Sequence, residues 1–138
     1  MKVFFDTCVY AAEALLGAGA EQMLVATERA SWRIVACSYL LNELERVLTE
    51  RLGFSTRLAR LSAQRVIRRS IFAEPPASRH SVPNDPADGP ILQAALAAGA
   101  DYLVTNDTHL LALHPYEGLR IVSMTEYYRL LENEGLLP

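Results

Sequence analysis

Cysteine, tryptophan and histidine are all scarce in this 138-residue sequence, at two, one and three copies. Cys8 and Cys37 have neither the density of a disulfide scaffold nor the spacing of a zinc site, so both are read as reduced, mostly buried small residues. No apolar run approaches the ~18 to 20 residues that span a bilayer. The opening Met1-Lys2-Val3-Phe4-Phe5 meets Asp6 too early for the apolar core of a secretion signal, and a cytoplasmic protein is expected. Internal repeats and low-complexity tracts are also missing. So is an excess of positive charge. The formal net charge of -3 argues against binding nucleic acid through a bulk positive field, because backbone binding depends on Lys and Arg neutralising phosphates. A local basic surface remains open, and acids spent on holding cations lower the formal charge without repelling a substrate once those cations are bound.

What is present is globular in composition: 51% hydrophobic and 21% charged residues over a length suited to a single domain, 1–138, with one core. Lys2 to Phe5 reads as a strand, Val9 to Leu16 as a helix before the Gly17/Gly19 break, and Glu21 to Ala30 as a second helix. Trp32 to Cys37 reads as a strand closed by Ser38, the expected N-cap of an amphipathic helix over Tyr39 to Leu52 that ends near Gly53. Ser55 is expected to cap a helix running to about Phe72, ended by Pro75-Pro76 and an irregular loop through Pro83. The pattern then recurs: helix Ala87 to Ala98, strand Asp101 to Thr105, short helix Thr108 to Leu113, strand Leu119 to Val122, and a capping box Ser123-Met124-Thr125-Glu126 opening a helix to Glu134. Strands alternating with helices predict a three-layer α/β/α fold around a parallel sheet of about four to five strands. In such sheets the functional crevice lies beyond the carboxyl ends of the strands, where Asp6 and Asp107 both fall.

A carboxylate at that point either caps the next helix or projects into the crevice as a ligand. Glu43 lies about one turn inside its helix beside the apolar stripe, where a negative charge is costly unless paired or bound to a cation. Asp85 and Asp88 stand before or at the start of the next helix, with Asp88 the better ligand candidate and Asp85 a cap or an auxiliary. Four carboxylates gathered this way, Asp6, Glu43, Asp88 and Asp107, repel one another and raise each other's pKa unless a cation neutralises them. Oxygen donors without His or Cys at metal spacing suit Mg²⁺ or Mn²⁺ far better than zinc. The reaction class that such ions serve best here is phosphodiester hydrolysis by in-line displacement.

Four segments together resemble the PIN-domain ribonucleases, especially the toxins of toxin-antitoxin pairs, over nearly the whole chain. They are Phe5-Asp6-Thr7-Cys8-Val9, Leu41-Asn42-Glu43-Leu44 through Val47-Leu48, Asp85-Pro86-Ala87-Asp88-Gly89-Pro90-Ile91-Leu92, and Gly99 through Val104-Thr105-Asn106-Asp107. The resemblance implies that Asp6, Glu43, Asp88 and Asp107 are the metal-binding acids and that Thr105 is the polar residue beside the fourth. It also implies Mg²⁺- or Mn²⁺-dependent cleavage of single-stranded RNA, a cognate antitoxin as partner, and a homodimer. One position departs from the family pattern: Cys8 stands where relatives often carry Asn after Asp-Thr.

Other residues support competing readings. Arg57, Arg60, Arg65, Arg68 and Arg69 share roughly half of one helical wheel and suit a solvated face, RNA phosphates or an acidic partner. Tyr10 and Tyr39 suit packing or base stacking. Histidine chemistry would draw on His80, His109 or His114, and Cys8 would be a nucleophile only if activated. Two further functions stay open: a catalytically impaired module that binds RNA or protein, and an aspartyl-phosphate phosphatase with Asp6 as nucleophile.

Overall fold

The computed structural model describes residues 1–74 and 89–137. Five strands form one parallel sheet: β1 (Lys2–Phe5), β2 (Arg33–Ala36), β3 (Ser70–Phe72), β4 (Tyr102–Val104) and β5 (Arg120–Val122), in the spatial order β3-β2-β1-β4-β5. Helices alternate with them: α1 (Thr7–Leu16) and α2 (Ala18–Arg29) before β2, α3 (Ser38–Arg46) and α4 (Thr56–Arg69) before β3, α5 (Gly89–Ala97) before β4, α6 (Thr108–Leu111) before β5, and α7 (Met124–Asn133) last. The α/β fold expected from the alternation is the fold found.

Burial along β1 shows why the sheet is covered twice. Successive strand side chains point to opposite faces, yet Val3, Phe4 and Phe5 are all fully buried, so helices close both sides. On one of those faces Phe5 meets the Tyr127 ring of α7 edge-on at 5.5 Å, and the Tyr127 hydroxyl lies 2.7 Å from Thr27 Oγ1 of α2. A buried phenol therefore has the polar partner it requires.

Local chemistry sets most boundaries. Gly17 ends α1 at φ 80°, a conformation that a residue with a Cβ adopts only at a cost, and its N–H returns to the carbonyls of Ala12 and Glu13. Ser55 Oγ accepts the Leu58 N–H to open α4, and Ser123 with Glu126 forms the complete capping box of α7. Three expectations need correction. Ser38 does not cap α3: the cap position is Cys37, and the Ser38 N–H and hydroxyl both donate to Glu74 Oε1, at 3.0 and 2.7 Å. The helix predicted to reach Phe72 stops at Arg69, where the chain turns directly into β3 beside β2. The helix predicted over Tyr39 to Leu52 also changes character, continuing past Arg46 as a wider π-helical segment, Val47–Arg51.

The strand order carries the main functional consequence. From β1 the chain builds outward through β2 to β3, then returns to the other side of β1 to add β4 and β5. The direction of winding reverses between β1 and β4, and in open α/β sheets a crevice forms outside the carboxyl ends of the strands at such a reversal. Asp6 follows β1, and Thr105 to Asp107 follow β4.

Candidate functional site

Asp6 leaves β1 with its N–H still paired to the Val104 carbonyl of β4, at 2.9 Å, so the backbone itself fixes it over the gap between the two strands. Its side chain is 5% exposed. Oδ1 accepts the Thr7 N–H at 2.7 Å, and Oδ2 accepts the Thr105 hydroxyl at 2.7 Å. Thr105, fully buried, also accepts the Asp107 N–H on the same Oγ1 at 3.0 Å. Asp107 Oδ1 in turn caps α6 by accepting the His109 and Leu110 amides, at 2.8 and 3.3 Å. The cap and crevice readings of these two acids are thus not exclusive, since each carboxylate oxygen has more than one lone pair to give.

Glu43 arrives from α3 on the other side. The Thr7 hydroxyl donates to Glu43 Oε1 at 2.5 Å, joining the second acid to the residue next to the first. Sequence reasoning passed over Thr7, which is 6% exposed and reads simply as the first residue of a helix. The signal available was a hydroxyl residue directly after an acid at a strand end.

Burial lifts the Asp6 carboxyl from 3.8 to about 6, and the nearby charges of Glu43 and Asp107 push the same way against the two hydrogen bonds it accepts. Asp6, Glu43 and Asp107 are therefore electrostatic neighbours. Among the described residues, no three acidic, histidine or cysteine side chains converge closely enough to form a ready metal cage. Asp85 and Asp88, the third acidic motif expected from the sequence, lie outside the described residues. The donor set that is described fits a hard divalent cation by its chemistry: carboxylate and hydroxyl oxygens around an acid whose burial, with two acidic neighbours, opposes its ionisation.

Cys8 borders the same acid. Its thiol is pushed up to about 12, by burial first and by the Asp6 charge second, and it is thereby kept neutral rather than activated as a nucleophile. His114 is occupied structurally, its Nδ1 accepting the Ile121 N–H at 2.9 Å, and His80 lies outside the described residues. His109 Nδ1 stands 3.7 Å from Asp107 Oδ1 at the rim. Tyr10 is 2% exposed and belongs to the core, while Tyr39 is half-buried.

The five arginines of α4 divide. Arg69 is held inside, with Nη1 3.1 Å from Glu13 Oε2 and Nε 3.8 Å from Glu28 Oε1, so it ties α4 to α1 and α2. Arg57, Arg60, Arg65 and Arg68 are exposed, interleaved with Leu58, Leu61 and Ile67, which are also exposed.

Comparison with known proteins bears on the fold. The family model described as a PIN domain matches residues 2–109. No curated protein matches the sequence. Among solved structures, a chain in the crystal structure of VapBC2 from Rickettsia felis bound to a DNA fragment from its promoter superposes with a TM-score of 0.66 at 16% identity, covering 89% of this chain and 98% of that one. The crystal structure of PAE2754 from Pyrobaculum aerophilum gives a TM-score of 0.64 at 19% identity, covering 96% of this chain and 90% of that one.

Proposed function

This chain belongs to the PIN domain family, and on that premise we propose that it is a nuclease, a divalent-metal-dependent endoribonuclease that hydrolyses single-stranded RNA as the toxin of a toxin-antitoxin pair. The observation that carries the proposal is the buried Asp6 carboxylate at the β1/β4 reversal, joined through Thr105 to Asp107 and neighboured by Glu43.

Asp6, Glu43 and Asp107, with Asp88 as the fourth acid and Asp85 as an auxiliary, are the residues proposed to hold Mg²⁺ or Mn²⁺. When bound, that cation supplies the positive charge that stabilises a phosphodiester under attack and its departing 3′-oxygen. The protein's own contribution is orientation. Thr105 holds one oxygen of Asp6 and the Thr7 amide holds the other, which leaves the carboxylate little freedom to rotate away from the crevice. The two amides on Asp107 Oδ1 do the same at the far side.

Partner proposals rest on the surface. Leu58, Leu61 and Ile67 exposed among Arg57, Arg60, Arg65 and Arg68 suit a protein partner with apolar and acidic side chains, and the fold shared with a chain of the VapBC2 structure supports an antitoxin in that role. Leu16, exposed at the end of α1 on a cavity of about 450 Å³ lined also by Ala12, Met23, Met124 and Tyr128, supports pairing of two copies. No helix among the described residues is long and apolar enough to cross a membrane.

The deciding experiment incubates the full chain with unstructured RNA and Mn²⁺ or Mg²⁺. Cleavage is expected, with chelator and Asp6→Asn each abolishing it. Metal-independent RNA binding without cleavage would instead identify a binding module, and phosphomonoester turnover through a covalent aspartyl-phosphate would identify a phosphatase.

A further inference from the structure

Glu43 and Asp6 carry like charges and come from different elements, so electrostatics alone would drive the longer, half-buried Glu43 side chain away from the crevice. One side chain opposes that. Thr7 donates its backbone N–H to Asp6 Oδ1 at 2.7 Å and its hydroxyl to Glu43 Oε1 at 2.5 Å, and it does so from a position only 6% exposed, where water competes poorly for either acceptor. Its branched Cβ restricts χ1, so the hydroxyl is aimed by the backbone of α1 rather than found by chance. A glutamate has several staggered arrangements available at a helix flank, and the Thr7 hydroxyl selects the one that turns Oε1 toward α1.

We infer that Thr7 is a positioning residue that holds the Glu43 carboxylate beside Asp6, so that the two acids present themselves together to one divalent cation. The inference rests on the proposal that this site holds such a cation. Thr7 touches no reacting atom; it acts through Glu43. A merely structural threonine would matter for the fold and leave cation affinity alone, which separates the two roles experimentally.

The test is direct Mn²⁺ titration of the full chain, read by electron paramagnetic resonance, for wild type, Thr7→Val, Thr7→Ser, Glu43→Gln and the Thr7→Val/Glu43→Gln pair. Thr7→Val keeps the backbone donor and the side-chain shape while removing the hydroxyl, and is expected to weaken Mn²⁺ binding about tenfold or more, the usual scale for a group that orients a ligand. Thr7→Ser keeps the hydroxyl and should stay within about threefold of wild type. In the Glu43→Gln background Thr7→Val should add nothing, because its effect runs through the residue already altered. Thr7→Ala, which also lacks the hydroxyl, replaces Thr7→Val if melting in chelator shows that valine disturbs the fold. Wild-type affinity in the hydroxyl-less variants overturns the inference, as does an equal loss with and without the Glu43 carboxylate. A wild type that binds no Mn²⁺ overturns it together with the metal-dependent function. Mn²⁺ binding in the expected pattern with RNA left intact upholds the role of Thr7 and removes only the nuclease.

Discussion

Thr105 Oγ1 donates its proton to Asp6 Oδ2 at 2.7 Å while accepting the amide of Asp107 on the same oxygen, so one buried hydroxyl bridges the ends of two adjacent strands. Thr105→Val preserves the volume and removes the bridge, leaving a nearly buried carboxylate oxygen without its donor. A loss of about 1 to 3 kcal/mol in urea unfolding at pH 7 is expected. Thr105→Ser should recover most of it. Equal stability of the valine variant and wild type would mean that the bridge contributes nothing.

The Asp6 carboxyl makes the metal-free protein sensitive to pH in a definite direction. Its folded value, about 6, lies above the 3.8 of an ordinary aspartate, so the native state keeps a proton that the unfolded chain has released between those two values. That contribution is complete below pH about 3.8, declines as pH rises to about 6, and amounts to a loss on the order of 3 kcal/mol above it. The difference in urea stability between wild type and Asp6→Asn, measured in chelator from pH 4 to 8, isolates it from the other acids. Cation binding requires the ionised form, so Mn²⁺ affinity should climb about tenfold per pH unit up to about 6 and then level off. A flat difference across that range would contradict the burial of Asp6.

Cys8 should be chemically quiet. With its thiol pushed up to about 12, the thiolate fraction near pH 7.5 falls on the order of a thousandfold below that of a free cysteine. Iodoacetamide should label the folded protein very slowly and the urea-unfolded protein at the ordinary rate. Rapid labelling of Cys8 in the folded state would revive a nucleophilic role for it.

Arg69 and Arg65 look alike in sequence and should behave unlike each other. Arg69→Ala strands Glu13, whose side chain is 7% exposed, and is expected to destabilise the fold by about 3 to 5 kcal/mol. Arg65→Ala changes a solvated face and should stay within about 0.5 kcal/mol of wild type. Thermal or urea melts of the two variants side by side make the comparison; similar losses would show that Arg69 is not the buried tie.

How much of this could be read in advance follows from the range of the interactions involved. Strand ends and helix caps are local, so Asp6, Asp107, the Ser55 cap and the Ser123 capping box were all legible from neighbouring residues. β3 was not. It has three residues, lies at the sheet edge with Ile71 and Phe72 exposed, and follows a helix without a breaker, so neither periodicity nor turn residues announce it. Ser38 has the chemistry of a cap but is claimed by Glu74, 36 positions away. Thr7 was passed over and Arg69 grouped with the other arginines of its helix for the same reason: their partners Glu43, Glu13 and Glu28 are set by packing between helices, which a helical wheel does not contain.

The return of the chain to the far side of β1 has a consequence in time as well as in space. Asp6 and Glu43 are made early in synthesis, but Thr105 and Asp107 reach them only when β4 pairs with β1 across about 100 intervening residues. On the function proposed, a nascent chain emerging from the ribosome carries half a site and cuts nothing.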